Sequence, residues 1–528
     1  MDANLYNLFR ANFPSDLSRV FLETEDASCY SYNDLERETA RYAAVLADLG
    51  LVKGDRLLAQ VEKSPQGLFL YLACVRAGII YLPLNPAYRK SEMQYVLFDA
   101  EPKAIVCSPA LQALWQELAQ EFADSPDASS RIYKLEIKIE TLDENGGGSL
   151  VEKCKNVEPE FATVSCECND IAAILYTSGT TGRPKGAMIT HRNLAANGRS
   201  LHDAWQWTSN DVLLHAVPLF HVHGLFVACS CALLGGAKII FLRKFDAPSV
   251  IRNLPRATVF MGVPTYYTRL LEQPEFSRDT CRGRRLFISG SAPLLEQTFT
   301  AFLERTGHAL VDRYGLTETG ANCSTPVDGP RFPGTVGLPL PGVSIRVADE
   351  TGAEVPDGQV GEMQVKGDNV FAGYWRKPAE TAAVFTPDGF FRTGDLGSRA
   401  ANGYLSIVGR STDLVITGGL NVYPKEIEST IDQMDGIFES AVIGVPHPDF
   451  GEAVVAVVVR EKSGADLHLH LTEGKVIADL KEILANYKIP KRVFFADELP
   501  RNTMGKVQKN LLRTHPGYRS TFSQSPER

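Results

Sequence analysis

Tyr176-Thr-Ser-Gly-Thr-Thr-Gly-Arg-Pro-Lys-Gly186 is the densest chemical signal in the chain. The apolar run Ile171 to Leu175 leads into Thr177, Ser178, Gly179, Thr180, Thr181 and Gly182, with Lys185 close behind. Glycine lets backbone N–H groups close around an anion, and hydroxyls and an ammonium add donors and charge, so the chemistry this suits is phosphate cradling. The G-K-[ST] ending of a P-loop is missing, which disfavours a P-loop kinase or ATPase. On its own, such a loop is as readily a flexible turn. Other spacings invite metal: His221 and His223 in Phe220-His-Val-His-Gly224, Cys166-Glu-Cys168 and Cys229-Ser-Cys231. None has a further ligand at zinc-site spacing, and the ten cysteines read as reduced, packed thiols.

The elements that must hold such a loop follow from periodicity. Arg56 to Val61 reads as a short buried strand, Pro65 to Arg76 as a helix, and Gly78 to Pro83 as a second strand. The alternation returns at Ala104 to Cys107 and Lys238 to Leu242, which makes the chain α/β with parallel sheet. Asp143 to Ser149 is a polar glycine run, read as a surface loop. Asp395 to Tyr404 is a turn-rich hairpin. A separate α+β unit follows: helix Glu426 to Met434, strands Ser440 to Val445 and Ala453 to Arg460, helix Thr472 to Leu484, strand Arg492 to Phe495. The expected division is 1–410 for a large N-terminal domain and 411–528 for a small mobile one. Residues 514–528, polar with two prolines, are expected to be a disordered tail.

At 528 residues two or more domains are expected, and 44% hydrophobic with 22% charged residues fits a folded protein. A net charge of −9 gives no reason to expect nucleic-acid or anionic-membrane partners. The apolar stretch Leu225 to Leu234 is too short to cross a bilayer. Met1-Asp2-Ala3-Asn4 shows no basic leader, so the expected location is cytoplasmic, or an organellar matrix if a leader has been removed. A monomer or homodimer is expected.

In order along the chain stand Tyr176 to Gly186, Tyr314-Gly-Leu-Thr-Glu318, Gly394-Asp395, Gly409-Arg410, Gly418-Gly-Leu-Asn-Val-Tyr-Pro-Lys425 and Pro500-Arg-Asn-Thr-Met-Gly-Lys506. This series resembles the acyl-adenylate-forming superfamily of acyl-CoA synthetases, luciferases and peptide-synthetase adenylation domains, over roughly residues 20 to 513. The resemblance implies a large multi-sheet adenylation domain and a small mobile domain. It implies ATP, Mg²⁺ and coenzyme A as cofactor and co-substrates, and a small carboxylate as the acid. Adenylation spreads negative charge over the α-phosphate, so fixed donors and a metal are needed.

By resemblance, Thr317 donates to the α-phosphate, Glu318 ligates Mg²⁺ and Tyr314 faces adenine. Without it, Tyr314 to Glu318 would read as a turn entering a helix, with Thr317 as its cap. Asp395 is the implied partner of the ribose hydroxyls and Arg410 of ribose or phosphate. Lys506 supplies charge to the first half-reaction when the small domain closes. Gly418 and Gly419 then present a narrow passage to the pantetheine arm, and His221 lies between acyl pocket and thiol tunnel. Thr412 occupies the hinge position where relatives usually carry Asp or Lys.

The nearer resemblance is to malonyl-CoA synthetases, through Met261 to Leu271, Ser289 to Leu294 and Leu420 to Glu428. It implies Arg269 and Ser291 as holders of malonate's distal carboxylate, since a buried arginine without a carboxylate is costly. The alternative is Arg269 pairing with Glu272 on a helix surface. Methylmalonate is the neighbouring acid; another short or medium acid, or a degenerate nucleotide-binding regulator, are the rival functions.

Overall fold

The computed structural model describes residues 2–125, 136–177, 184–418, 420–461 and 471–522. Four sheets form among them. One runs, in spatial order, Lys138–Thr141, Ala104–Cys107, Arg56–Gln60, Ile80–Pro83, Ile171–Thr177 and Lys185–Thr190, all parallel except the last pair. Its short central strands are buried on both faces, as parallel strands between helices must be. The helix Pro65–Ala77 shows how the sequence sets its ends. Ser64 accepts the N–H of Gly67, Pro65 opens the first turn, and Gly78 at φ 68 closes the last.

A second, nine-stranded sheet has the parallel strands Val212–His215, Val259–Gly262, Leu286–Ser289 and Val311–Leu316 at its centre. Val311–Leu316 then turns back antiparallel into Gly320–Ser324, so Thr317 sits in a hairpin and not at a helix start. That overturns the helix-cap alternative for this segment. A third, antiparallel sheet holds Val343–Ala348, Gly361–Gly367, Phe391–Arg399 and Leu405–Arg410. The hairpin expected around Asp395 to Tyr404 is this sheet's last pair.

After the turn Ser411–Asp413 comes a five-stranded sheet: Val415–Thr417, Leu420–Val422, Ile437–His447, Gly451–Arg460 and Arg492–Ala496. Ile427, Ile431, Val476 and Leu480 from two helices cover one face, with Val442, Val454 and Val458 beneath them. Leu499 and Leu512 cover the other.

The expected disordered tail is corrected over its first part. Pro516–Arg519 is helical, and Tyr518 and Phe522 pack on that second face. Tyr518 lies 4.8 Å from Phe494 and Phe522 5.0 Å from His447, ring to ring. Two aromatics four residues apart give the short segment an apolar side that its polar average conceals. Residues 523–528 lie outside the described residues. No helix among the described residues is long and apolar enough to cross a membrane.

One buried acid makes the small sheet pH-sensitive. Asp432 ends the helix Pro424–Ile431 and accepts the Ser440 hydroxyl at 2.7 Å. Burial, reinforced by Glu428 and Glu439, pushes its pKa up to about 7. The folded chain therefore keeps a proton that the unfolded chain releases near 3.8. Stability from this group is full below that value and falls as pH rises toward 7. Asp432→Asn keeps the acceptor for Ser440 without the charge. Its urea midpoint at pH 8 is expected above wild type, with the gain shrinking toward pH 4; no gain at pH 8 refutes the buried penalty.

Candidate active site

In open α/β sheets the usual ligand position is at the carboxyl ends of the strands. The hairpin Phe391–Arg399/Leu405–Arg410 sets Asp395 directly across from Arg410. Arg410 Nε meets Asp395 Oδ1 at 2.6 Å and its Nη1 donates to the Thr393 carbonyl at 3.0 Å. The Tyr314 hydroxyl donates to the other Asp395 oxygen at 2.5 Å. Asp395 is buried, and desolvation raises its pKa while Arg410 and Tyr314 hold it down. Each carboxylate oxygen keeps a lone pair for a further hydroxyl.

Thr317 and Glu318 stand in the hairpin loop after Leu316. The approach is so close that a Cβ on Gly315 would lie 1.8 Å from the Gly320 carbonyl oxygen. Thr317 lines a small cavity with Asn193, Asn197, Val222 and Gly320. Glu318 accepts the Tyr374 hydroxyl at 3.1 Å, and desolvation raises its pKa. It forms no ion pair with any described residue, so this enclosed carboxylate lacks a cation. A divalent ion fits that need, and a hard oxygen ligand with waters and phosphate oxygens suits Mg²⁺.

The phosphate loop joins antiparallel strands, with Thr177 opposite Lys185. Ser178, Gly179, Thr180, Thr181 and Gly182 lie outside the described residues. Lys185 is ion-paired to Glu380 at 2.8 Å, and its ammonium stands 5.1 Å from the Tyr374 ring centre. Tyr374 thus touches both Lys185 and Glu318.

Lys506 approaches Arg410 and Asp395 from the small sheet. The residue is open to solvent, yet protein crowds its ammonium, and that desolvation, then Arg410, lowers its pKa; Asp395 and Asp413 act the other way. Thr412 is exposed in the turn Ser411–Asp413, while its neighbour Asp413 pairs with Arg513 at 2.8 Å. Gly418, at φ 57, is exposed at a hairpin tip and donates its N–H to the Phe450 carbonyl at 2.9 Å. Gly419 lies outside the described residues.

On the acyl side the burial expected of Arg269 is not seen. Arg269 is exposed on the helix Pro264–Leu271 and pairs with no described acid, Glu272 included. That helix buries Pro264, Tyr267 and Leu270, which turns position 269 outward. The buried guanidinium is Arg313, next to Tyr314 and 5% exposed. Its Nη2 donates to Ser291 Oγ at 3.3 Å, and Ser291 Oγ lies 3.2 Å from His223 Nδ1. Ser291 is held at φ 73, a conformation that side chains rarely adopt. His221 Nδ1 accepts the His223 N–H at 3.2 Å. Desolvation, with Arg313 second, lowers His221 to about 4 and His223 well below its usual value, so both are neutral near pH 7.

Arg313 has no carboxylate ion pair among the described residues. Arg313 Nε, His223 Nε2 and Ser289 Oγ are all buried without a hydrogen-bond partner. Arg313 was missed from sequence, and His223 was weighed there only as a metal ligand. The available signal was alternation: Arg313 shares the buried face of its strand with Val311.

A fold of this kind defines a class of nucleotide-using enzymes. The family model for AMP-binding enzymes matches residues 10–375, and that for the AMP-binding enzyme C-terminal domain matches 426–506. The chain belongs to the AMP-binding enzyme family. It is 36% identical to the mitochondrial malonate–CoA ligase ACSF3 of Homo sapiens over 530 residues, covering 92% of this chain and 88% of that one. A mouse counterpart is 41% identical over 380 residues, 65% of this chain and 64% of that protein. The crystal structure of ATP-bound MatB from Rhodopseudomonas palustris superposes with a TM-score of 0.92 at 50% identity, covering 98% of this chain and 100% of that one.

Because Gly315 abuts Gly320, Gly315→Ala is expected to spread the hairpin and displace Thr317 and Glu318. ATP–pyrophosphate exchange should fall at least tenfold while the fold, followed by circular dichroism, persists. Undiminished exchange would show that the close approach does not set the site.

Proposed function

We infer that this chain ligates malonate to coenzyme A through an acyl-adenylate, releasing pyrophosphate and then AMP. In the first half-reaction one malonate carboxylate oxygen attacks the α-phosphorus, and the bond to pyrophosphate breaks. In the second the thiol sulfur attacks the acyl carbon, the bond to AMP breaks, and the thiol proton leaves. Asp395, with Arg410 beside it, receives the ribose, and Tyr314 the adenine. Thr317, Lys185 and, from the small domain, Lys506 answer the phosphate charge. Glu318 would hold a Mg²⁺ ion, which when bound would supply positive charge for the phosphate oxygens. A division after Arg410, with the turn through Thr412 as pivot, lets the small domain withdraw Lys506 and bring Gly418 and Gly419 to the thiol. His221, neutral, lies between acid and thiol as a hydrogen-bonding group.

The observation that supports malonate is the buried guanidinium of Arg313, which makes no ion pair with a described carboxylate and is offset only by the adjacent Asp312, itself raised by burial to about 7. A buried cation offset only in part is costly, and a second carboxylate on the substrate would relieve that cost with ionic hydrogen bonds. A monocarboxylate leaves it unrelieved. A charged hydrogen bond contributes about 1.5–3 kcal/mol, so the preference for malonate should rest heavily on this group.

The test is kcat/KM for malonate, methylmalonate and propionate with wild type and Arg313→Met. Wild type should favour malonate, and the variant should lose at least tenfold on malonate with far less change on propionate. A wild type that prefers propionate, or an unchanged malonate-to-propionate ratio in Arg313→Met, overturns the malonate assignment and leaves a ligase for another acid.

A further inference from the structure

Lys506 is delivered by a loop whose own geometry is closed. Arg501 and Val507 face each other as an antiparallel bridge. Inside, Asn502 Oδ1 accepts the N–H groups of Met504 and Lys506, each at 3.0 Å. The Asn502 N–H donates to the Lys506 carbonyl at 3.0 Å, and the Gly505 N–H to the Asn502 carbonyl at 2.9 Å. These bonds make the loop a unit but do not aim it. Apart from the buried side chain of Met504, it needs a tie to the sheet behind it.

Arg501 is that tie. One guanidinium nitrogen donates to the Gly505 carbonyl, the peptide just before Lys506. Another is ion-paired to Glu439 on the strand Ile437–His447, whose side chain is only 9% exposed. A planar fork can hold a carboxylate and a carbonyl together, which an ammonium does poorly.

The neighbouring residues extend the tie to the large domain. The Phe438 carbonyl, one residue before Glu439, accepts Gln297 Nε2 at 2.7 Å from the helix Glu296–Thr306. A Cβ on Gly505 would lie 2.9 Å from Thr265 Oγ1 on the helix Pro264–Leu271. The lysine loop therefore seats flush against the acyl-side helix, and its aim is referenced to the same strand that touches the large domain.

We propose that Arg501 is a positioning residue for adenylation: clamped to Glu439, it holds the Gly505 carbonyl and so fixes where Lys506 meets the α-phosphate. This rests on the reading of Lys506 as the first half-reaction's cation. The pair lies wholly within the small domain, so it presets the loop before closure. Once the domain rotates for thioester formation, the aim of Lys506 no longer matters. Arg501 should then be silent in the second half-reaction, which a merely stabilising ion pair would not be.

The experiment measures malonate-dependent ATP–pyrophosphate exchange, and thioester formation from supplied malonyl-adenylate with CoA. The variants are Lys506→Ala, Arg501→Gln, Arg501→Lys, and Arg501→Gln combined with Glu439→Gln. The double variant leaves no buried unpaired acid, so it separates aim from stability. Thermal melts accompany each. Expected are at least a tenfold loss of exchange in Arg501→Gln and in the double variant, thioester formation within twofold of wild type, and partial recovery of exchange in Arg501→Lys. If Lys506→Ala is selective for exchange but the double variant exchanges normally, or loses both half-reactions alike, the inference on Arg501 fails alone. If Lys506→Ala loses both alike, the lysine reading fails and takes the inference with it.

Discussion

The cross-strand pair of Asp395 and Arg410 is the joint on which the rest of the site hangs. Arg410 ends the last strand of the third sheet, so the residue that neutralises the buried acid is also the one from which the small domain departs. Tyr314 ties the same carboxylate to the nine-stranded sheet. One acid thus joins the acyl-side sheet, the antiparallel sheet and the start of the linker. Moving the hairpin register by one residue would turn Asp395 outward and remove Arg410 from its partner.

Around this joint the site separates its charges by what is missing. Among the described residues Glu318 and Arg313 have no ion-pair partner, although the charge of Arg410 acts on Glu318 and that of Asp312 on Arg313. Burial pushes each toward its neutral form, Glu318 upward and Arg313 down to about 10, yet Arg313 stays charged at neutral pH. Such groups cost folding free energy, and proteins retain that cost where a ligand relieves it. The two groups have opposite sign and flank Tyr314 along the chain. On the proposed reading, that difference of sign would orient a dicarboxylate between nucleotide and Arg313.

The sequence made most of the fold legible because its signals were local. Short apolar runs bounded by Gly and Pro marked the parallel strands, and Pro65 and Gly78 bracketed the helix between them. The nucleotide side was legible for a different reason: backbone-dominated contacts demand glycines and hydroxyls at fixed spacing. The acid pocket was less so, because its residues come from three chain segments, and only the register of strands shows which of two arginines turns inward. Arg269 lies in a segment that the resemblance assigned to the acyl side, but the helix buries positions 264, 267 and 270 and leaves 269 exposed. Arg313 hid next to a stronger signal, Tyr314 to Glu318. The ordered tail escaped for a related reason, since composition averages away two aromatics that touch one face.

The placement of Lys506 follows from the same electrostatics. A cation fixed permanently beside Arg410 would add to the positive charge there and, without nucleotide, would be repelled by it. Asp395 and Asp413 offset that repulsion only in part, since desolvation and Arg410 still depress the lysine's pKa. On the proposed reading, carrying the lysine on a separate sheet would let its charge enter when phosphate is present and leave when the acyl group must meet a thiol. Mobility of the carrier then demands rigidity of the loop, because a swinging domain can position a side chain only as well as that side chain is fixed to the domain. Asn502, Met504 and Arg501 supply that fixity around a single glycine, Gly505, whose missing Cβ lets the loop reach Thr265.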